Sequence, residues 1–541
     1  MKKLVSLLLA FLLAMTLGAA FAEPVIVEPE MPLTDTPVTY EAMIVLHALD
    51  TGDPNEKSLY IEREEQTGVD IEWTAVPETS KAERIATTFA SADLPDLFVN
   101  MLSNTEVLTY GTAGALLPIS DYLEYMPNFS SILETMPDVK AAITMPDGKI
   151  YGLPQINMYS VWPGNGVYQK SSVFINREWL EALDLEVPTT TEEFLNVLRA
   201  FKEGDPNGNG IADEIPLSFV YDGWSETPAS LLYGPFGIIG MASQMNVQDG
   251  KCFYAVQDER YIDAIQYIRT LWDEGLIDPE AFTQDASRYY AKGLEETALY
   301  GVFVDWSGGS VVGNDRVLGE DQTVNTDDDV YIPIAPLTGP NGDCIWGNDP
   351  SGINTNRLCI ASTVENPELI CRWADALYAP DSSIQEVWGQ FGTWTTKNDD
   401  GTWTRIMNPS DVNADEWLLQ STTRQLPALV TDEMVANFTS LYPDGQTGDK
   451  TTDSKYQLAT ITAPYAVDEY YPSVVLSQEA NERIAVLWTP IYNAMIEQEV
   501  AWCTGEGDVE AEWESFIERL NSMGLEEVVQ IYQDALDAVN S

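Results

Sequence analysis

The sequence predicts an α/β protein of two lobes, and three observations carry that expectation. Strand-like and helix-like segments alternate from Tyr40 onward, the pattern of sheets covered by helices. The chain has 541 residues, whereas a single core stops growing at roughly 250 to 300. Its 45% hydrophobic and 10% aromatic content suits a packed chain, since disordered segments carry few aromatics and much charge.

In order, the chain opens with Lys2 and Lys3, the 15-residue apolar run LVSLLLAFLLAMTLG, and Ala20-Phe21-Ala22. This is the three-part pattern of a secretory signal peptide, so residues 1–22 are expected to be removed and the protein secreted. The run is shorter than the roughly 20 residues that span a bilayer. No cysteine adjoins the cleavage site to take an acyl chain. Residues 23–39, rich in Pro and acid without a period, read as a linker. "YEAMIVLHAL" then forms a strand, a helix through Leu59 and Ile61 stops at Gly68, and "VDIEWTAV" returns as a strand. "KAERIATTFASA" is the next helix and "DLFVN" the next strand. Together they make a βαβαβ start, with parallel strands ending at an edge where ligands bind.

"PDGKIYGLP" (146–154) carries an Asp-Gly hairpin signal, and "NMYSVWPGNGVYQK" after it is a candidate crossover between lobes. In "VPTTTEEFLNVLRAFK", Thr190 and Glu193 stand at capping-box spacing while Phe194, Leu198 and Phe201 share a face. "YIDAIQYIRTLWDEGLIDPEAF" is an amphipathic helix ended by Gly275, and "TALYGVFVDW" a buried strand. Trp394 and Trp403 flank "TKNDDGT", a hairpin tip that would pair them across strands. Near the C terminus, Leu525, Val528, Val529, Tyr532, Leu536 and Val539 line one helix face.

A formal net charge of −59 repels phosphate backbones and anionic lipid, which argues against a nucleic-acid partner. Five scattered cysteines and a single histidine, His47, leave little material for a disulfide framework, a histidine zinc site or a Ser-His triad.

Residues 205–216, "DPNGNGIADEIP", place Asp205, Asn207 and Asn209 at alternate positions of a tight loop. Gly210 permits the turn, Ile211 offers its carbonyl, and Asp213 and Glu214 complete a shell of oxygen donors, which favours calcium. Pro216 occupies the position where an EF-hand carries its bidentate Glu, and "IPLSFV" after it reads as strand. No second helix is then available to open, so the ion is expected to brace the fold and not to signal.

Fifteen Trp and 25 Tyr exceed what a core requires. Trp162, Trp224, Trp306 and Trp346 lie in loop-like or strand-end contexts, and with Asp305 and Tyr168 they form the candidate ligand set. Aromatic faces beside hydrogen-bonding groups suit sugar rings. Trp179, Trp272, Trp488 and Trp513 sit in helical segments and are expected in the core. No nucleophile elbow, zinc-protease motif, P-loop or complete dinucleotide fingerprint is evident, and 86 acidic residues make any carboxylate spacing uninformative.

"DLPDLF", "GALLPISDYLEYMPN", "MPDGKIYGLP", "LWDEGLIDPEAF", "IAPLTGPNG" and the long block from "FINREWLEALDLEVPTTTEEF" through "DPNGNGIADEIPLS" resemble the extracellular solute-binding proteins of carbohydrate ABC transporters. The resemblance is to the long lipoprotein-like subgroup that includes alginate-oligosaccharide-binding proteins. It implies a two-lobed periplasmic-binding-protein fold, type II-like, that closes on a sugar in the cleft between lobes. It further implies a calcium ion in the loop from Asp205 to Glu214, an oligosaccharide or glycoside ligand, docking on ABC permease subunits, no enzymatic activity and a monomer. Relatives in Gram-positive bacteria usually carry a lipobox cysteine, which is missing here. The expected lobes are 40–160 with 345–400, and 161–344 with 401–541. The competing expectations are a secreted glycan-degrading enzyme, or the same fold holding a peptide or other small solute.

Overall fold

The computed structural model describes residues 24–539, apart from 48, 92, 158–170, 224, 318–328, 348–351, 410–411, 413, 444 and 450–453. The strands in chain order are β1 (Val38–Val45), β2 (Val69–Val76), β3 (Leu97–Val99), β4 (Gly152–Asn157), β5 (Ser172–Asn176), β6 (Ile215–Ser218), β7 (Met245–Gln248) and β8 (Lys251–Tyr254). They continue as β9 (Tyr300–Asp305), β10 (Tyr331–Ile334), β11 (Ile353–Ile360), β12 (Thr395–Lys397), β13 (Trp403–Ile406), β14 (Ala428–Val430), β15 (Phe438–Leu441) and β16 (Thr447–Gly448). Two principal sheets result, one of six strands in the order β14-β4-β11-β3-β1-β2 and one of four in the order β10-β5-β9-β6. Each anchors a lobe.

Alternation along each strand feeds a core on both faces of its sheet. In β1, Tyr40, Ala42 and Ile44 join one cluster while Val45 joins another with Phe98 and Cys359. In the second sheet Val173, Ile175, Val302 and Val304 face one cluster, and Phe174, Phe303 and Tyr331 face the other. Phe194, Leu198 and Phe201, on the helix Thr191–Gly204, are all fully buried there. The expected capping box forms: Thr190 Oγ1 accepts from Glu193 N at 3.2 Å, and Glu193 Oε2 accepts from Thr190 N at 3.2 Å. Bonds that the carboxylate accepts from Thr189 N and Oγ1, and then from Thr190, hold the Glu193 carboxyl below its ordinary range. Gly68 ends the helix Ser58–Thr67 at φ 74°, and a Cβ there would stand 2.7 Å from Thr34 O.

Several expectations change. The sheets are mixed: β1, β2 and β3 run parallel, but β11 runs antiparallel to both β3 and β4, and β5 antiparallel to β9. The strand that re-enters the first sheet, β11, runs against β4, by which the chain left it. Residues 428–430, expected in the second lobe, form β14 and pair with β4 in the first sheet. The small sheet β12-β13-β15-β16 packs beside them through Trp388, Trp403, Val430 and Phe438. Return to the second lobe is therefore later than residue 400, at the helix Ser454–Thr462, whose Leu458 is buried with Phe174 and Tyr331.

The expected linker is docked on the first lobe, where Val25 N donates to Ser131 Oγ (2.8 Å), Val27 N to Asn128 Oδ1 (2.8 Å), and Leu33 is buried. The turn at 145–149 forms, with Gly148 N bonded to Met145 O, but β4 then pairs with β11 and β14 and makes no hairpin. The β12–β13 hairpin places Trp403 opposite Lys397, while the Trp394 ring meets Trp417 at 5.6 Å. Trp179 is buried, and Trp272, Trp488 and Trp513 pack against the same core. On the last helix, Leu525–Val539, Val539 is exposed. All five cysteines are free.

Candidate ligand cleft

The strand directions bring like ends of the two sheets to the crossovers. In the first sheet β4 leaves at Asn157 and β11 enters at Ile353, both beyond the carboxyl end of β3, because Leu358 lies opposite Val99 and Ile353 opposite Ile156. In the second sheet β5 enters at Ser172, opposite Asp305 at the carboxyl end of β9, and β6 runs parallel to β9. The chain therefore leaves and enters each sheet at the edge where its parallel strands β1–β3, or β6 and β9, have their carboxyl ends. That is where open α/β sheets hold ligands.

A cavity of about 940 Å³ lies at this junction. Ser171, Trp346, Gly347 and Ile353 line it from beside the crossovers, the β7–β8 hairpin forms one wall, and Ala466 to Ser473 forms another. Its size lies within the range of small-molecule sites, roughly 300 to 1,000 Å³. The lining mixes aromatic faces (Trp346, Phe253, Tyr470, Tyr471) with amides and carboxylates.

Backbone pairing holds Trp346 in place: its N donates to Tyr465 O (2.7 Å), and its O accepts from Val467 N (3.0 Å). The residue is 3% exposed, so it belongs to the core and presents part of its surface to the cavity. Gly347 N donates to Ser230 Oγ at 3.1 Å. Asn246 clips the neighbouring loop, with Oδ1 accepting from Ile239 N (2.9 Å) and Nδ2 donating to Ile239 O (2.8 Å). The Tyr471 hydroxyl donates to Tyr532 O at 3.0 Å, and burial raises it well above the ordinary phenol range.

Asp305 is 2% exposed, and its oxygens accept from Ser307 N (3.2 Å), Gly308 N (2.9 Å) and Ser225 Oγ (3.3 Å). Burial raises its carboxyl above the ordinary range despite those bonds. It holds the turn after β9, and neither Asp305 nor the half-buried Trp306 lines the cavity. Trp162, Tyr168 and Trp224 lie outside the described residues. Of the predicted ligand set, the structure thus sets Trp346 in the cavity wall. Residues such as Asn246, Arg260, Asp343 and Tyr471 were not anticipated, because they come from distant segments that no local pattern connects.

The loop from Asp205 to Glu214 follows the helix Thr191–Gly204, with Asp205 at φ 46° as its left-handed cap. Asp205 carboxylate oxygens accept from Gly210 N (3.2 and 3.3 Å), Asn207 Oδ1 from Asn209 N (3.0 Å), and Asn209 Oδ1 from Ile211 N (2.6 Å). Asp213 accepts from the amides of Asn207 and Asn209 at 2.9 to 3.1 Å. Among the described residues, Glu214 Oε1 is buried without a hydrogen-bond partner. Burial, with the nearby Asp213 and Asp205 charges adding to it, raises the Glu214 carboxyl. An orphaned carboxylate oxygen beside two further carboxylates fits a hard divalent cation, which would satisfy it. Among the described residues no cluster of three Asp, Glu, His or Cys side chains is gathered tightly enough to hold a metal by itself. The amide and carbonyl oxygens of Asn207, Asn209 and Ile211 would have to supply the remaining donors.

Residues 62–291 match the model for bacterial extracellular solute-binding proteins. Over 515 residues the chain is 32% identical to the fructooligosaccharide ABC transporter substrate-binding protein FusA of Streptococcus pneumoniae, covering 92% of this chain and 90% of FusA. The chain belongs to the bacterial extracellular solute-binding protein family. The structure of FusA in complex with kestose superposes on this solute-binding protein with a TM-score of 0.74 at 30% identity, covering 93% of this chain and 99% of FusA. A FusA EF-hand mutant in complex with fructo-nystose gives 0.73 at the same identity and coverage. A solute-binding protein of Bifidobacterium longum infantis shares the fold, with a TM-score of 0.77 at 24% identity over 93% of this chain and 99% of that one. Among the described residues no helix of this solute-binding protein is long and apolar enough to cross a membrane.

Proposed function

We propose that this solute-binding protein captures an oligosaccharide outside the cell and delivers it, as a monomer and without cleaving it, to the permease subunits of an ABC transporter. The observation that carries this reading is one cavity of about 940 Å³ that Ser171, Trp346, Gly347 and Ile353, all beside the crossings between lobes, line together with aromatic and hydrogen-bonding side chains. FusA, an oligosaccharide-binding relative, supports the choice of ligand class. Trp346, with Tyr470 and Tyr471 on the facing wall, would offer aromatic surface to sugar C–H groups while Asn246 and Gln248 bond hydroxyls. Ligand touching both lobes favours the closed form only by the extra contacts it makes there. Asp205, Asn207, Asn209, Ile211, Asp213 and Glu214 would hold a calcium ion that braces the second lobe. A relative carrying an EF-hand mutation supports this.

Titration calorimetry of the mature protein against a panel of defined oligosaccharides, with chromatography of the mixture afterwards, tests the proposal. Saturable binding with the sugar recovered intact is expected. Release of shortened products, or failure of every sugar to bind, would overturn it.

A further inference from the structure

The charges around the cavity carry the reading one step further, resting on the oligosaccharide function just proposed. Asp249, Asp343, Asp468 and Glu469 line it, and among the described lining residues the one cation is Arg260. Arg260 is committed: Nε donates to Asp258 Oδ1 (2.9 Å) and Nη2 to Asp258 Oδ2 (2.7 Å), with a further Nη2 bond to Gln248 Oε1 (2.9 Å). Glu469 Oε2 accepts from Gly250 N at 3.1 Å, which ties the Ala466–Ser473 wall to the hairpin tip and keeps this carboxylate at the cavity edge. Ionised carboxylates are acceptors with nothing to donate. A sugar hydroxyl gives such a group a charge-assisted bond, whereas a sugar carboxylate offers no proton and meets like charge.

We propose that this cavity admits uncharged oligosaccharides and rejects those carrying uronate groups, with Asp249, Asp343, Asp468 and Glu469 acting as the discriminating residues. Discrimination by repulsion needs no contact specific to one sugar, so it acts on any sugar bearing a carboxylate.

The test uses the mature protein and calorimetry. Kestose and other neutral oligosaccharides are titrated first. The tightest binder is then compared with the same molecule whose primary alcohol has been oxidised to a carboxylate, and oligogalacturonides are run alongside. The oxidised form is expected to bind at least about tenfold more weakly at low salt, the gap narrowing as ionic strength screens the repulsion. In the variant Asp249→Asn/Asp343→Asn/Asp468→Asn/Glu469→Gln the gap should close. The salt series on the unaltered protein decides the matter if that variant does not fold. Oxidised sugar or oligogalacturonide binding as tightly as the neutral ligand would overturn the selectivity and leave the oligosaccharide function standing. So would a gap insensitive to both salt and substitution. If no sugar of either class binds, the proposed function falls and this inference falls with it.

Discussion

Removing calcium should lower the thermal stability of the second lobe and leave sugar affinity nearly unchanged. The loop ends where β6 begins, at Ile215, and Ile215 pairs with Tyr300 at the start of β9, while Asp305 lies five residues farther along, at the cleft end. At about 3.3 Å per residue that separation is about 17 Å. A cation at the loop would therefore tie the helix Thr191–Gly204 to the far end of the sheet without reaching the sugar. With calcium at 100 times its dissociation constant, binding adds about 2.7 kcal/mol to the folded state. For a unit of about 260 residues, with an unfolding entropy of about 2.1 cal/mol/K per residue, each kcal/mol moves Tm by about 2 °C, so chelation should lower the transition of this lobe by about 5 °C. Differential scanning calorimetry with calcium and with chelator measures this directly, and Glu214→Gln should blunt the response. An unchanged transition would refute the site. A loss of sugar binding at temperatures where the lobe remains folded would refute the division of labour between loop and cleft.

Three other outcomes follow from the packing. Glu386 is fully buried, with Oε2 2.8 Å from Arg63 Nη1 and Oε1 accepting from Tyr60 Oη and Leu426 N. Glu386→Leu strands the guanidinium and should cost about 3–5 kcal/mol in chemical denaturation of the first lobe; a loss under about 1 kcal/mol would mean the pair is solvated. Asp375 caps the helix Pro127–Thr135 through Asn128 N (3.2 Å) and Phe129 N (2.8 Å), yet burial raises its carboxyl to about 6 from 3.8. Because the folded state holds this proton more tightly, the contribution of Asp375 is complete below 3.8 and is lost as pH rises through about 6. Denaturant midpoints of the unaltered protein should therefore fall relative to Asp375→Asn across that window, and parallel curves would contradict the burial effect. At Gly234 a Cβ would lie 2.2 Å from Ile345 O, so Gly234→Ala must push back the strip that carries Ile345, Trp346 and Gly347 along the cavity. It should cost about 1–3 kcal/mol and weaken sugar binding together; unaltered calorimetric titrations would show that this strip does not shape the site.

The βαβαβ start, the cap at Gly68 and the capping box at Thr190 were legible because each depends on residues within one or two turns of each other. The oxygen-rich loop was legible for the same reason. The docked segment 24–37 was not: its Pro and acid content resembles a tether, and its partners Asn128 and Ser131 lie about a hundred residues away. Trp346 stands out in the sequence as an aromatic among turn residues and lines the cavity, while the strand-end Asp305 is buried and bonds the backbone of its own turn, an arrangement that its position in the sequence does not reveal.

Local residue patterns were enough to specify the alternation of elements, their caps, the oxygen-rich turn at 205–214 and the acidic charge, since backbone preference and side-chain period need no distant partner. The tertiary structure alone decided which strands share a sheet, that β14 returns to the first lobe, and that segments near residues 171, 246, 346, 353 and 471 meet around one cavity. Those pairings lie far apart in the chain and are set by which apolar faces bury one another, a choice that becomes specific only once whole sheets and helices are packed.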